Sequence, residues 1–134
     1  MSNRIVVTAA CLFNDKHELL LVRKRDTERF MLPGGKPETG ESELEALQRE
    51  LLEELGVSHQ SSEYSLLGKY LAPAANEAGM MVEATVYRAQ LSGPVIIAAE
   101  IEESLWFDIQ AETEVLLAPL LTDHVFPDLW ARPV

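Results

Sequence analysis

This 134-residue chain has one cysteine, Cys11, and half as many basic as acidic residues, 11 Lys and Arg against 22 Asp and Glu. A single cysteine excludes an intramolecular disulfide and a cysteine zinc site, and fits a reducing compartment. The formal net charge of −11 argues against a general basic face for nucleic acid or anionic membrane. No apolar run approaches the ~20 residues of a membrane span. The apolar stretch between Arg4 and Cys11 is too short for a signal segment and reads as a first strand, so a cytoplasmic protein is expected. Repeats, low-complexity tracts and linkers are absent, which leaves one domain over residues 1–134.

What is present begins with strands. Arg4 to Phe13 is apolar and β-branched at its start, as a strand covered on both faces would be. Asn14 to His17 forms a turn, and Glu18 to Arg23 a second strand, giving a hairpin. Cys11 lies within the first strand and reads as a small buried hydrophobe. Pro33-Gly34-Gly35 interrupts regular structure, and Pro37 and Gly40 keep the segment irregular as far as Gly40. Ser42 and Glu45 form a capping box, so a helix starts there and Gly56 stops it. Leu44, Leu47, Leu51 and Leu55 supply its apolar stripe. Tyr64–Ala72 and Met80–Leu91 read as a long hairpin, Val95–Ile97 as a short strand or its remnant, and Leu105–Phe107 as another. The remainder to Trp130 reads as helical in two pieces, with Pro119 in a first turn and Pro127 kinking or ending a helix. This pattern predicts an α+β protein, with helices on the faces of a mixed sheet.

The chemistry concentrates on the first helix. Glu50, Glu53 and Glu54 have offsets that place them on one face. Carboxylates this close repel, by about 4 kcal/mol at 4 Å and an effective dielectric of 20, unless solvated or offset by a cation. On three glutamates alone, a solvated acidic face is the more ordinary account. Hard oxygen donors in this number suit Mg²⁺, which also binds phosphates. Glu41 precedes the helix, and Arg49 is placed either to pair with it or to stabilise charge on phosphate. Arg23, Lys24, Arg25 and Arg29 form the one dense basic cluster, suited to phosphate oxygens or simply to a solvated strand end. The candidate substrate-binding positions are Arg23, Arg25, Gly34, Gly35 and Lys36.

The register Gly35, Glu41, Arg49-Glu50-Leu51, Glu53-Glu54 and Gly56-Val57 resembles the Nudix box at every specified position. The resemblance extends to the preceding hairpin, the Phe30–Gly35 lead and the glutamate-rich segment ending at Trp106-Phe107, and is weakest beyond Asp108. It implies an α/β/α sandwich that hydrolyses a nucleoside diphosphate linked to another group, using Mg²⁺ or Mn²⁺. It implies that Glu50, Glu53 and Glu54 are metal ligands, that Arg49 and Glu41 are an orienting pair, and that Gly35 shapes the loop. A further glutamate, Glu103 or Glu100, with Glu103 preferred, completes the metal site or acts as base; Glu50 is the candidate for activating water. The small MutT-like members act on nucleoside triphosphates, sometimes oxidised. Pro73 resembles a proline of ADP-ribose-cleaving members, although in a loop it serves equally as a turn former. A coenzyme A substrate does not fit the segment before Phe30. A non-catalytic nucleotide sensor is the alternative of another class, and the unbroken box argues against it. A small nucleotide is the expected partner, with neither nucleic acid nor membrane, and a homodimer fits family habit. Phe30, Tyr87, Trp106 and Phe107 read as core, and His17, His59 and His124 as surface or capping residues.

Overall fold

The computed structural model describes residues 3–131. Six strands form one mixed sheet: β1 (Arg4–Phe13), β2 (Leu19–Lys24), β3 (Gly34–Gly35), β4 (Ser65–Pro73), β5 (Met81–Gln90) and β6 (Ile101–Phe107). The order is β4-β5-β1-β2-β6, with β3 paired to β1. Helix α1 spans Glu43–Leu55 and helix α2 spans Phe126–Ala131.

Strand alternation sorts the core onto two faces. Ala10, Leu12, Leu20 and Val22 pack with Leu47, Leu51 and Leu55 of α1. Ala9, Cys11, Leu19 and Leu21 pack with Leu121, Val125, Phe126 and Leu129 on the α2 side. Successive residues of β1 and β2 thus serve opposite layers, as a period of two demands. The result is the expected α/β/α sandwich. Tyr70 ties α2 to the sheet by donating to the Asp128 carboxylate at 2.6 Å.

Helix α1 forms as its ends predict. The Ser42 side chain accepts from the Glu45 amide while the Glu45 carboxylate accepts from the Ser42 amide. Gly56 adopts φ 68°, and its amide donates to the carbonyls of Leu51 and Leu52. The carbonyls of Leu55 and Glu54 are satisfied from outside the helix, by the amides of Ile96 and Ala98 at 3.1 and 2.9 Å. Val95–Ile97 is therefore a loop capping a helix end, and no strand.

Three further expectations change. The β1–β2 hairpin is splayed: only Phe13 and Leu19 pair, and the body of β2 pairs with β6. Between the two diverging strands runs Phe30–Gly35. Met31 exchanges backbone hydrogen bonds with Val22, and Gly34 and Gly35 pair with Ala9 and Thr8. The glycines expected to be irregular form β3, because a Cβ at Gly34 would lie 2.1 Å from the Thr8 carbonyl oxygen. Side-chain-free backbone lets the two chains approach. Finally, residues 109–118 are not helical. Helix begins at residue 119, and Leu121–Val125 forms a wide π turn in which the Phe126 amide donates to the Leu121 carbonyl. The turn absorbs the misfit at Pro127, which has no amide hydrogen to offer, so the helix continues to Ala131.

Candidate active site

The site lies where β3, the loop after it and the outward side of α1 meet. Arg49 is its hub. Its Nε and Nη2 donate to both oxygens of Glu41, at 2.7 and 2.9 Å. Its Nη1 donates to Glu50 at 2.8 Å, and its Nη2 to the Lys36 carbonyl at 3.2 Å. Glu38 approaches Nε at 3.1 Å and Glu53 approaches Nη1 at 3.6 Å. One planar fork thus fixes the loop 36–41 to the helix and orients Glu50. The hydrogen bond from Arg49 holds the Glu41 carboxyl down at about 2.

Glu54 turns inward and is 5% exposed. Burial pushes its carboxyl up, to about 8; a hydrogen bond with Glu50 and the charge of Glu50 add to the rise. Lys24 and the Gly34 amide, which donates at 3.4 Å, oppose it. Glu50 lies against bare backbone, since a Cβ on Gly35 would sit 2.4 Å from its carboxyl carbon. The structure therefore gathers Glu41, Arg49, Glu50, Glu54, Gly34 and Gly35 into one assembly. Glu53 stays at the edge, its side chain 56% exposed.

The basic and acidic residues of β2 and β6 divide differently from the expectation. Arg23 pairs with Glu103 at 3.0 Å and donates to the Thr27 carbonyl at 2.8 Å. Arg25 donates to the Ala99 carbonyl at 2.9 Å and faces Glu102 at 3.8 Å. Both arginines brace the strand ends, and neither lines the cavity beside Glu50. Lys24 does line it, together with Lys36, Gly34, Gly35 and Glu100. A register shift of β2 against β6 between Arg23 and Lys24 separates the two faces. Lys24 faces Glu100 at 3.7 Å. The cavity, about 370 Å³, continues from these charged groups into an apolar part lined by Ile5, Val7, Val82 and Leu120. Lys24 was visible in the sequence as one member of a cluster; its selection depends on strand parity and the register shift.

Can these residues hold a divalent cation? Among the described residues, no three acidic, histidine or cysteine side chains converge into a cage. The donor chemistry nonetheless fits. Two carboxyls, part-exposed Glu50 and buried Glu54, meet through a hydrogen bond, and hard oxygen donors suit Mg²⁺ or Mn²⁺. Such ions keep waters and take phosphate oxygens as further ligands, so a complete protein cage is not required.

The remaining residues singled out in the sequence lie outside this assembly. The Cys11 thiol is buried and pushed up to about 12 by that burial, with Arg88 opposing. Phe30 and Phe107 are in the core. His59 contacts the Tyr64 hydroxyl at 3.1 Å, and His124 stacks on Tyr70. No helix among the described residues is long and apolar enough to cross a membrane.

Comparison with known proteins identifies the family and the fold. The family profile described as NUDIX domain matches residues 3–128. A relative from Methanocaldococcus jannaschii, an ADP-ribose pyrophosphatase, is 32% identical over 97 residues, covering 71% of this chain and 56% of that protein. A putative 8-oxo-dGTP diphosphatase of Bacillus subtilis is 39% identical over 62 residues, 46% of this chain and 40% of the other. The chain spans between 19% and 56% of the length of the curated relatives it matches. Among solved structures, a MutT protein from Methanosarcina mazei Go1 superposes with a TM-score of 0.76 at 22% identity, covering 97% of this chain and 93% of that one.

Proposed function

Since this chain belongs to the Nudix family, we propose that it is a Mg²⁺- or Mn²⁺-dependent pyrophosphohydrolase acting on the diphosphate linkage of a nucleotide. The preferred substrate is a nucleoside triphosphate, oxidised forms included, cleaved to monophosphate and pyrophosphate. The observation that carries this reading is the pairing of Glu50, which lines the cavity, with buried Glu54, Glu50 being held in place by Arg49.

In this reading Glu50, Glu53 and Glu54 hold the cation. When bound, it supplies positive charge to the diphosphate oxygens and eases loss of a proton from water. The chain's own groups do the rest. Arg49 and Glu41 fix the loop and the position of Glu50, and in this reading Glu50 accepts that proton. Lys24 and Lys36 line the cavity as phosphate partners, replacing Arg23 and Arg25 in that role. In this reading Glu100 rather than Glu103 completes the site, because Glu100 lines the cavity and Glu103 does not.

A second reading, an ADP-ribose or other nucleotide-sugar substrate, is favoured by Pro73, which lines this cavity, and by the name of the Methanocaldococcus relative. A non-catalytic nucleotide sensor is the third. Product identification by phosphorus NMR separates them, using dNTPs, oxidised dNTPs, ADP-ribose and dinucleoside polyphosphates with Mg²⁺. Pyrophosphate release from triphosphates supports the first reading, and AMP with ribose 5-phosphate supports the second. Binding without phosphate products supports the sensor. Hydrolysis by Glu53→Gln and Glu54→Gln proteins at the wild-type rate would remove these residues from the metal site.

A further inference from the structure

We infer that Arg25 is a positioning residue for Glu100: its guanidinium fixes the exposed turn 98–101 in the conformation in which Glu100 lines the cavity. The inference rests on the reading above, in which Glu100 completes the site, and adds to it the residue that aims Glu100.

The turn leads into β6. The Ile101 amide closes it by donating to the Ala98 carbonyl at 3.1 Å. Its central residues are Ala99 and Glu100. Ala99 has φ 55°, a left-handed value that strains alanine and not glycine. Ala99 is exposed, so no packing of its side chain offsets that strain. The closing hydrogen bond uses neither polar atom of the central peptide. Rotation of that peptide changes ψ of Ala99 and φ of Glu100, and so re-aims the Glu100 side chain. A turn of this kind keeps one arrangement only if something outside it holds the central peptide.

Arg25 holds it. Its Nη2 donates to the Ala99 carbonyl at 2.9 Å, and its amide donates to the Glu100 carbonyl at 2.8 Å. One residue thus grips the peptides on both sides of the Glu100 Cα, the first by its side chain and the second by its backbone. The backbone contact is kept when the side chain is replaced, whereas the contact with Ala99 is lost. The other neighbour of the guanidinium, Glu102, is 3.8 Å away and half exposed, a weak restraint. The turn also meets the site at two further points. The Ala98 amide donates to the Glu54 carbonyl at 2.9 Å. The Glu100 carboxylate lies 3.7 Å from Lys24 Nζ, and both residues line the cavity. Arg25, which lines no part of it, acts on the site through this turn.

The Arg25 side chain is 63% exposed, so its removal leaves the core intact. The test is a double-mutant cycle of Arg25→Ala with Glu100→Gln. Two quantities are measured on wild type, both single variants and the double variant. One is binding of Mn²⁺ alone, followed by the paramagnetic resonance of the free ion. The other is steady-state hydrolysis with Mg²⁺ of the best substrate among dNTPs, oxidised dNTPs and ADP-ribose. Each single variant is expected to weaken Mn²⁺ binding and to lower kcat about tenfold, the loss of one charge-assisted hydrogen bond. In the Glu100→Gln background, Arg25→Ala should add nothing to either. KM should not change in Arg25→Ala, and Arg25→Lys, which keeps one donor, should lie nearer wild type. A KM raised equally in both backgrounds would make Arg25 a phosphate contact, and losses that multiply would make it a brace independent of Glu100. Either result overturns the inference and leaves the proposed activity standing, as does wild-type behaviour of Arg25→Ala beside an impaired Glu100→Gln. A silent Glu100→Gln removes Glu100 from the site, and the inference with it, while hydrolysis by wild type sustains the activity. If wild type neither binds Mn²⁺ nor hydrolyses any of these nucleotides, the reading as a pyrophosphohydrolase is itself overturned.

Discussion

Gly35 and Glu50 are in contact that no other residue at position 35 could make: a Cβ there would lie 2.5 Å from Glu50 Oε2 and 2.8 Å from its Cγ. The small residue is needed for the carboxylate on the neighbouring helix rather than for its own backbone. Gly35→Ala is therefore expected to displace Glu50 while the protein still folds. A displacement near 1 Å lowers activity about 10²-fold. The check is kcat/KM against the dichroism spectrum; unchanged activity would mean that Glu50 yields without consequence.

Arg49 and Glu41 act as one unit through their two-point contact. Glu41→Ala, Arg49→Ala and the double variant should lose similar amounts of kcat/KM, about 10²-fold each, because the second substitution removes a partner already lost. Arg49→Lys keeps the charge and loses the fork, so it should fall closer to Arg49→Ala than to wild type. Multiplicative losses in the double variant would show that the two residues act separately.

The Glu50–Glu54 pair sets a pH dependence of stability. The Glu54 carboxyl is raised from 4.5 to about 8, so the folded protein holds this proton where the unfolded chain has released it. Stability from this group is present at low pH and declines as pH rises from about 4.5 to about 8. Glu41, lowered to about 2, acts oppositely and in a separate window, losing stability as pH falls from about 4.5 toward 2. The metal-free melting temperature should fall between pH 5 and 8, and Glu54→Gln should flatten that slope. Millimolar Mg²⁺ should raise it more at pH 8 than at pH 5, and less in Glu54→Gln.

Cys11 provides a probe of the core. Its burial and raised thiol predict no reaction with a disulfide reagent in the native state. Labelling should appear across the same urea range in which the dichroism signal is lost. Fast native labelling would contradict a closed β1.

The helix and the grouping of its charged side chains were legible in the chain because they depend on local rules. Ser42, Glu45 and Gly56 set its ends, and the spacing of Arg49, Glu50 and Glu54 sets its face. Non-local pairing was not legible. The parallel register of β1 with β5, from Arg4 against Met81 to Phe13 against Gln90, leaves no mark in either segment. The same limit separated Lys24 from Arg23 and Arg25: three adjacent cations look alike until a sheet register assigns each a side.

The connection from β5 to β6 divides into two parts with different freedom of length. Around Gly93 nothing lies within 4 Å of a would-be side chain, so added residues meet only solvent. From Ile96 onward the amides are tied to the last carbonyls of α1, and the Glu100 carbonyl accepts from the Arg25 amide. An insertion there would break a splice between two elements and move Glu54 and Glu100 together. Variation in loop size is therefore expected to collect before residue 95, and grafted segments or tags belong there.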